Sequence, residues 1–172
     1  MKITTRKLAV SALLLALDVL FVRVLALNTP IMQIGLGFAA IAFCAMAYGP
    51  AWTALIAALG DLLGSVLFPT GAYFPGFTLT AALTGLIFGL ALYKRPAGFL
   101  TALLAAASNC ILVSFLANTA LISYISGTPY GTLLAARAIQ LAVMLPVQCL
   151  VIFLLGKAKP VQDILQKTVE NT

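Results

Sequence analysis

Four ionisable side chains lie inside long apolar runs of this chain: Asp18, Arg23, Asp61 and Arg137. A charge at the centre of a bilayer costs about 2.5–3.5 kcal/mol on insertion scales. Such groups therefore face a bundle interior, pair with one another or line a binding pathway. Two acids and two arginines sum to zero, so two internal salt bridges would satisfy them structurally. A ligand site would use them differently. A carboxylate accepts hydrogen bonds from a ligand's N–H groups, and a guanidinium fork matches a carboxylate. Asn118 adds an amide at similar depth, with Asn109, Gln140 and Gln148 deeper. An intramembrane aspartyl enzyme built on Asp18 and Asp61 would need two adjacent carboxylates with one pKa raised. The nearby arginines oppose that, and the sequence has no Gly-x-Gly-Asp.

The connecting loops hold a second set of residues. Positions 69–76 read Pro69-Thr70-Gly71-Ala72-Tyr73-Phe74-Pro75-Gly76. Two prolines and two glycines specify a shaped turn. Gly71 and Pro75 would set its path, and Tyr73 and Phe74 could lie over a planar ligand or anchor the chain at the interface. Asn28-Thr29-Pro30-Ile31-Met32-Gln33 forms a second candidate lid, with Thr29, Pro30 and Gln33 as its lining.

Much chemistry is excluded by absence. The chain has no histidine, hence no imidazole base and no His-ligated metal. It has no Gly-x4-Gly-Lys-Ser/Thr, so it does not cradle nucleotide phosphates in a P-loop. Cys44, Cys110 and Cys149 lie far apart in apolar runs, match no metal spacing and read as small buried hydrophobes. No catalytic residue, cofactor or metal is expected.

These residues need a scaffold, and composition says which kind. Of 172 residues, 63% are hydrophobic and 8% charged, with mean hydropathy +1.13. Soluble domains have about three times that charge, so this is an all-α membrane protein. Its helical runs are too long for barrel strands. Punctuation by Pro, Gly and Asn delimits six segments: 7–27, 34–48, 51–68, 77–93, 98–123 and 131–156. The second is short for a full span. Residues 1–156 form one transmembrane domain and 157–172 a polar tail.

With the N-terminus inside, Lys2, Arg6, Lys7, Lys94, Arg95, Lys157, Lys159 and Lys167 all fall on the inner side, and the outer loops carry no Lys or Arg. This bias predicts both termini in the cytoplasm and a pocket opening outward. It also turns the net charge of +6 into a topology signal; no basic stripe suited to nucleic acid forms. A cleaved signal peptide is disfavoured, because Asp18 and Arg23 interrupt the first run and no Ala-x-Ala site follows.

Small residues one helical turn apart let membrane helices approach closely. Ala12 and Ala16, Gly60 and Gly64, and Ala81, Gly85 and Gly89 have that spacing.

Taken together, Thr29-Pro30-Ile31, Gly37-Phe38, Gly49-Pro50, Asp61-Leu62, Asn118-Thr119, Arg137 and Met144-Leu145-Pro146-Val147-Gln148 resemble the S components of energy-coupling factor (ECF) vitamin transporters. The run Leu67-Phe68-Pro69-Thr70-Gly71-Ala72-Tyr73-Phe74-Pro75-Gly76-Phe77-Thr78-Leu79 is the most specific, and the likeness is closest to the folate-type branch. The resemblance implies six helices, capture of folate or a related pterin at the outer face, and lids from the first and third loops. It implies docking through Ala12 and Ala16 to a membrane coupling (T) subunit that carries two ATPases. Arg23, Asp61, Tyr73, Phe74, Asn118, Arg137 and Gln140 are the expected ligand contacts. Gln33 and Gln140 stand where the branch often has a basic residue and a lysine, which leaves Arg23 and Arg137 for an anionic tail. An S component for another heteroaromatic vitamin and a six-helix structural scaffold are the alternative readings; the scaffold needs no polar cluster.

Overall fold

The computed structural model describes residues 5–28, 33–69, 73–95 and 98–158. Among them lie six helices, each matching an expected segment to within three residues at either end. Helix α1 covers Thr5–Val19 and continues as a π-helical turn over Leu20–Val24. Helix α2 is Gly37–Tyr48, α3 is Pro50–Leu67 and α4 is Pro75–Leu92. Helix α5 runs over Phe99–Ser126, with a π-helical centre at Asn109–Ala117. Helix α6 is Tyr130–Lys157.

Local chemistry sets the ends. Gly49 stands between α2 and α3 at φ +81° and ψ 179°, a conformation that a side chain resists. Pro50 then opens α3, its fixed φ suited to a first helical position. The result is a one-residue reversal. Pro75 opens α4 in the same way, and Gly127, left-handed at φ 65°, ends α5. Pro146 sits inside α6 and leaves the Ala142 carbonyl without its helical donor.

Helices α3 and α4, 18 residues each, rise about 27 Å and match a hydrocarbon core of about 30 Å. Helix α2 has 12 residues and rises only about 18 Å. It is a core helix that packs on α1, α3, α4 and α6, with Ala42, Cys44 and Ala45 fully buried. The distance it leaves uncovered is taken up by a short hairpin before it, β1 (Leu27–Asn28) against β2 (Gln33–Ile34), pairing Leu27 with Ile34 and Asn28 with Gln33. That ladder is the one departure from all-helical structure among the described residues.

Leucines and other large apolar side chains coat the outside, including Leu13, Val66, Leu79, Leu100 and Ile139. Lipid tails are as apolar as leucine, so burial alone does not hold these helices together; close packing does. Small residues provide it. A Cβ at Gly85 would stand 2.6 Å from the Thr53 carbonyl oxygen, and one at Gly89 would strike the backbone of Pro50. The glycine stripe of α4 thus packs within the chain, backbone against backbone on α3. Gly89→Ala is expected to destabilise by about 1–3 kcal/mol through overpacking, read as a lower melting temperature in detergent. Leu90→Ala, on the exposed face, should stay within about 0.5 kcal/mol.

Candidate substrate-binding site

The polar residues gather at the end of the bundle where α1, α3 and α5 finish and α4 and α6 begin. The last turn of α1 has i→i+5 bonding, with the Leu25 amide donating to the Leu20 carbonyl at 3.0 Å. In such a turn residues five apart share a face, as residues four apart do in an α-helix. Asp18 and Arg23 therefore both meet α3. A Cβ at Gly60 would lie 2.6 Å from Asp18 Oδ2, and one at Gly64 would lie 3.0 Å from Arg23 Nε. Two glycines four apart on α3 make room for two charges five apart on α1.

Arg23 Nη2 donates to Asp61 Oδ1 at 3.1 Å, with both side chains mostly buried. Thr78, in the first turn of α4, donates to the other carboxylate oxygen, Oδ2, at 2.8 Å. Because that proton is committed, the Tyr73 hydroxyl is left to donate to Thr78 Oγ1 across 2.9 Å. Arg23, Asp61, Thr78 and Tyr73 form a continuous line from α1 to the loop before α4.

A second cluster lies between α5 and α6. In the π-helical centre of α5 the Asn118 amide bonds the Val113 carbonyl. Asn109, Ser114 and Thr119 are five apart in sequence, the spacing that keeps one face in this register. Cys110, Ser114 and Phe115 line a small cleft with Arg137, Gln140, Leu141 and Met144 of α6. Arg137 is 6% exposed. Its Nη1 donates to Gln140 Oε1 at 2.9 Å. Among the described residues its Nε has no partner and no carboxylate lies within 4 Å of it. Asn118 Oδ1 and Thr119 Oγ1 are likewise buried without partners among the described residues. Deeper, Asn109 Nδ2 donates to Gln148 Oε1 at 3.2 Å and ties α5 to α6.

Of the two internal salt bridges that charge balance would allow, one ion pair forms among the described residues, Arg23–Asp61. Tyr73 is half exposed and joined to the Asp61 line. Phe74 stacks against neighbouring rings instead, its centroid 6.3 Å from Phe77 and 6.4 Å from Tyr124. It anchors the loop to α4 and α5 and does not hold a free ring over the site. Gln33 is paired within the hairpin, and Pro75 starts α4. Thr29, Pro30 and Gly71 lie outside the described residues. Ala12 and Ala16 are exposed on α1. Two features escaped the sequence reading. Thr78 was passed over, although a hydroxyl in the first turn of an apolar helix beside a candidate lid was a signal. Thr80 and Thr84 differ from it by bonding carbonyls of their own helix. The five-residue spacing of Asn109, Ser114 and Thr119 was the other.

The comparisons with known proteins agree with this fold. The family model for the ECF-type riboflavin transporter, S component, matches residues 2–157. The folate transporter FolT of Clostridium novyi (strain NT) is 33% identical over 142 residues, 83% of either chain. FolT of Leuconostoc mesenteroides subsp. mesenteroides is 35% identical over 66 residues, 38% of this chain and 35% of that protein. A crystal structure of FolT bound with folic acid superposes with a TM-score of 0.85 at 30% identity, over 89% of this chain and 93% of that one. With a family match over nearly its whole length, and a fold of six membrane helices shared with FolT, the chain belongs to the S components of ECF-type transporters and is a multi-pass membrane protein.

Proposed function

We propose that this S component captures folate, or a pterin with a carboxylate tail, and passes it to a coupling module of one membrane T subunit and two ATPases. The observation that supports folate most directly is Arg137. It is buried, its hydrogen-bond partner is the neutral Gln140, and no carboxylate is near it among the described residues. A guanidinium held out of water in this way favours an anion. Riboflavin, the vitamin in the family model's description, carries no carboxylate. Folate carries two on its glutamate tail. The FolT relatives and the folic-acid-bound FolT structure favour the same choice.

The roles follow from the geometry. Arg137, with Gln140, receives the tail. Arg23 already neutralises Asp61, so the tail does not fall to it. Asp61 offers its remaining lone pairs to the amino-pyrimidinone edge, and Asn118 Oδ1 accepts a ligand N–H. Tyr73 covers the head group from the loop that Phe74 anchors. Both carboxylate oxygens of Asp61 are already hydrogen-bonded, to Arg23 and Thr78, so no free base is poised and the chain binds without converting. The basic-residue bias puts this end of the bundle outside and both termini in the cytoplasm. The exposed Ala12 and Ala16 give α1 a smooth face for the T subunit.

Calorimetric titration with folic acid and with a tail-less pterin tests the roles. Arg137→Gln should weaken folic acid about ten- to a hundredfold, a charged hydrogen bond being worth about 1.5–3 kcal/mol, and leave the pterin unchanged. Because it removes an uncompensated buried cation, it should hold or raise the melting temperature of the ligand-free protein. Arg23→Gln should do the opposite, stranding Asp61 at a cost of about 3–5 kcal/mol. Equal loss of both ligands with a collapsed melt in Arg137→Gln would make Arg137 scaffolding.

Ala12→Trp or Ala16→Trp should abolish uptake by cells that express the coupling module while folic acid binding to the purified subunit persists. Normal uptake in both variants would place the docking face elsewhere.

A further inference from the structure

The end of the bundle opposite the polar site carries a feature that ligand capture does not use. Lys7 holds its Nζ 4.1 Å from the centroid of Trp52 and 5.2 Å from that of Tyr48. Trp52 Nε1 in turn donates to Ser11 Oγ at 2.8 Å, which fixes the indole against α1. The row continues across Gly49, where the Tyr93 ring lies 3.3 Å from the place a Cβ would occupy. Lys94 Nζ closes it, 5.3 Å from Tyr93. Two ammonium groups thus stand at the ends of one band of three rings that crosses α1, α2, α3 and α4.

Two further facts say what the band is for. Lys94 has φ 55° and is the one non-glycine residue with positive φ among the described residues. Helices favour glycine at such a position, so the backbone here carries strain to keep a cation. In addition, the acids among the described residues are Asp18 and Asp61, both on the side of the polar site. Arg6 and Arg95 therefore add to the positive charge of this end, with no carboxylate among the described residues to answer it.

We propose that this band is a binding site for the headgroup of an anionic phospholipid, with Lys94 and Arg95 on the phosphate, Lys7 adding positive charge from the far end of the band, and the three rings at the level of the glycerol backbone. Cations held over rings at a membrane face are ordered before the lipid arrives. Anionic headgroups concentrate on the cytoplasmic leaflet, which is where the basic-residue bias puts this end. Neither the ligand nor the coupling module enters the argument.

The chain supplies its own probe. Trp52 is its single tryptophan and lies within the band. Purified protein in mixed phosphatidylcholine and phosphatidylglycerol, with one lipid brominated at a time, reads by quenching which lipid resides beside Trp52. Phosphatidylglycerol should be strongly preferred. In the Lys94→Gly, Arg95→Gln double variant the preference should fall about thirtyfold, two basic contacts having been removed. Glycine relieves the strained position, so the melting temperature in detergent should not drop. Quenching by brominated phosphatidylcholine alone should be unchanged, showing that Trp52 still meets lipid. Equal quenching by both lipids in the wild-type protein, or a preference untouched by the double variant, would overturn the proposal. So would competition by glycerol phosphate at the same concentration, which would make this a site for soluble phosphates. An unaltered lipid preference with lost assembly onto the coupling module would assign the band to an acidic protein surface instead.

Discussion

Inside a bilayer no water compensates a charge, so everything at the polar end depends on how Arg23 meets Asp61. The pair forms at 3.1 Å because two unrelated adjustments coincide. A π-helical turn rotates Arg23 onto the face already occupied by Asp18, and glycines at 60 and 64 remove the side chains that would block both. Once the pair exists, Asp61 is fixed, Thr78 can bond it, and Tyr73 can bond Thr78. Tyr73 takes its position from an ion pair two hydrogen bonds away. A methyl group at either glycine would be felt at Tyr73, although neither glycine touches it.

Arg137 shows the opposite solution. It is as deeply buried as Asp18, yet its guanidinium donates to a neutral amide and lines a small cleft between α5 and α6. Buried polar groups are normally satisfied, and four of the five exceptions among the described residues lie on α5 and α6. One pole of the cluster thus carries its own counter-ion, and the other has none among the described residues. A ligand gains most where the protein has left its own groups unpaired, so on the proposed reading discrimination between a vitamin with a carboxylate and one without would rest on this second pole.

Much of this was legible in the residues. Proline and glycine punctuation located all six helices, because Pro50 and Pro75 can only open a helix and Gly127 readily ends one. The four buried charges marked the polar end, and the glycine spacing marked close helix contacts. Three things were not legible. Whether Asp61 would pair with Arg23 or Arg137 depends on rotation about the helix axes, which apolar helices do not betray through periodicity. Phe74 could equally have faced the site or the bundle; Gly76 decides it, since the ring occupies the space a Cβ would need there. The hairpin before α2 follows from the shortness of that helix, and four strand residues in a polar loop give no periodic signal of their own.

The π-helical turns have a consequence for how such a protein changes over generations. Each amounts to one residue more than an α-helix of the same length would hold, and each successive residue turns the chain by about 100°. Loss of one codon within 109–117 would restore the regular helix and swing Asn118 and Thr119 off the face they share with Asn109. The same loss within 20–24 would carry the hairpin away from α6. In an ordinary loop a single-residue deletion is among the mildest of changes. Here it would redraw the recognition surface while leaving span length, hydropathy and charge almost as they were.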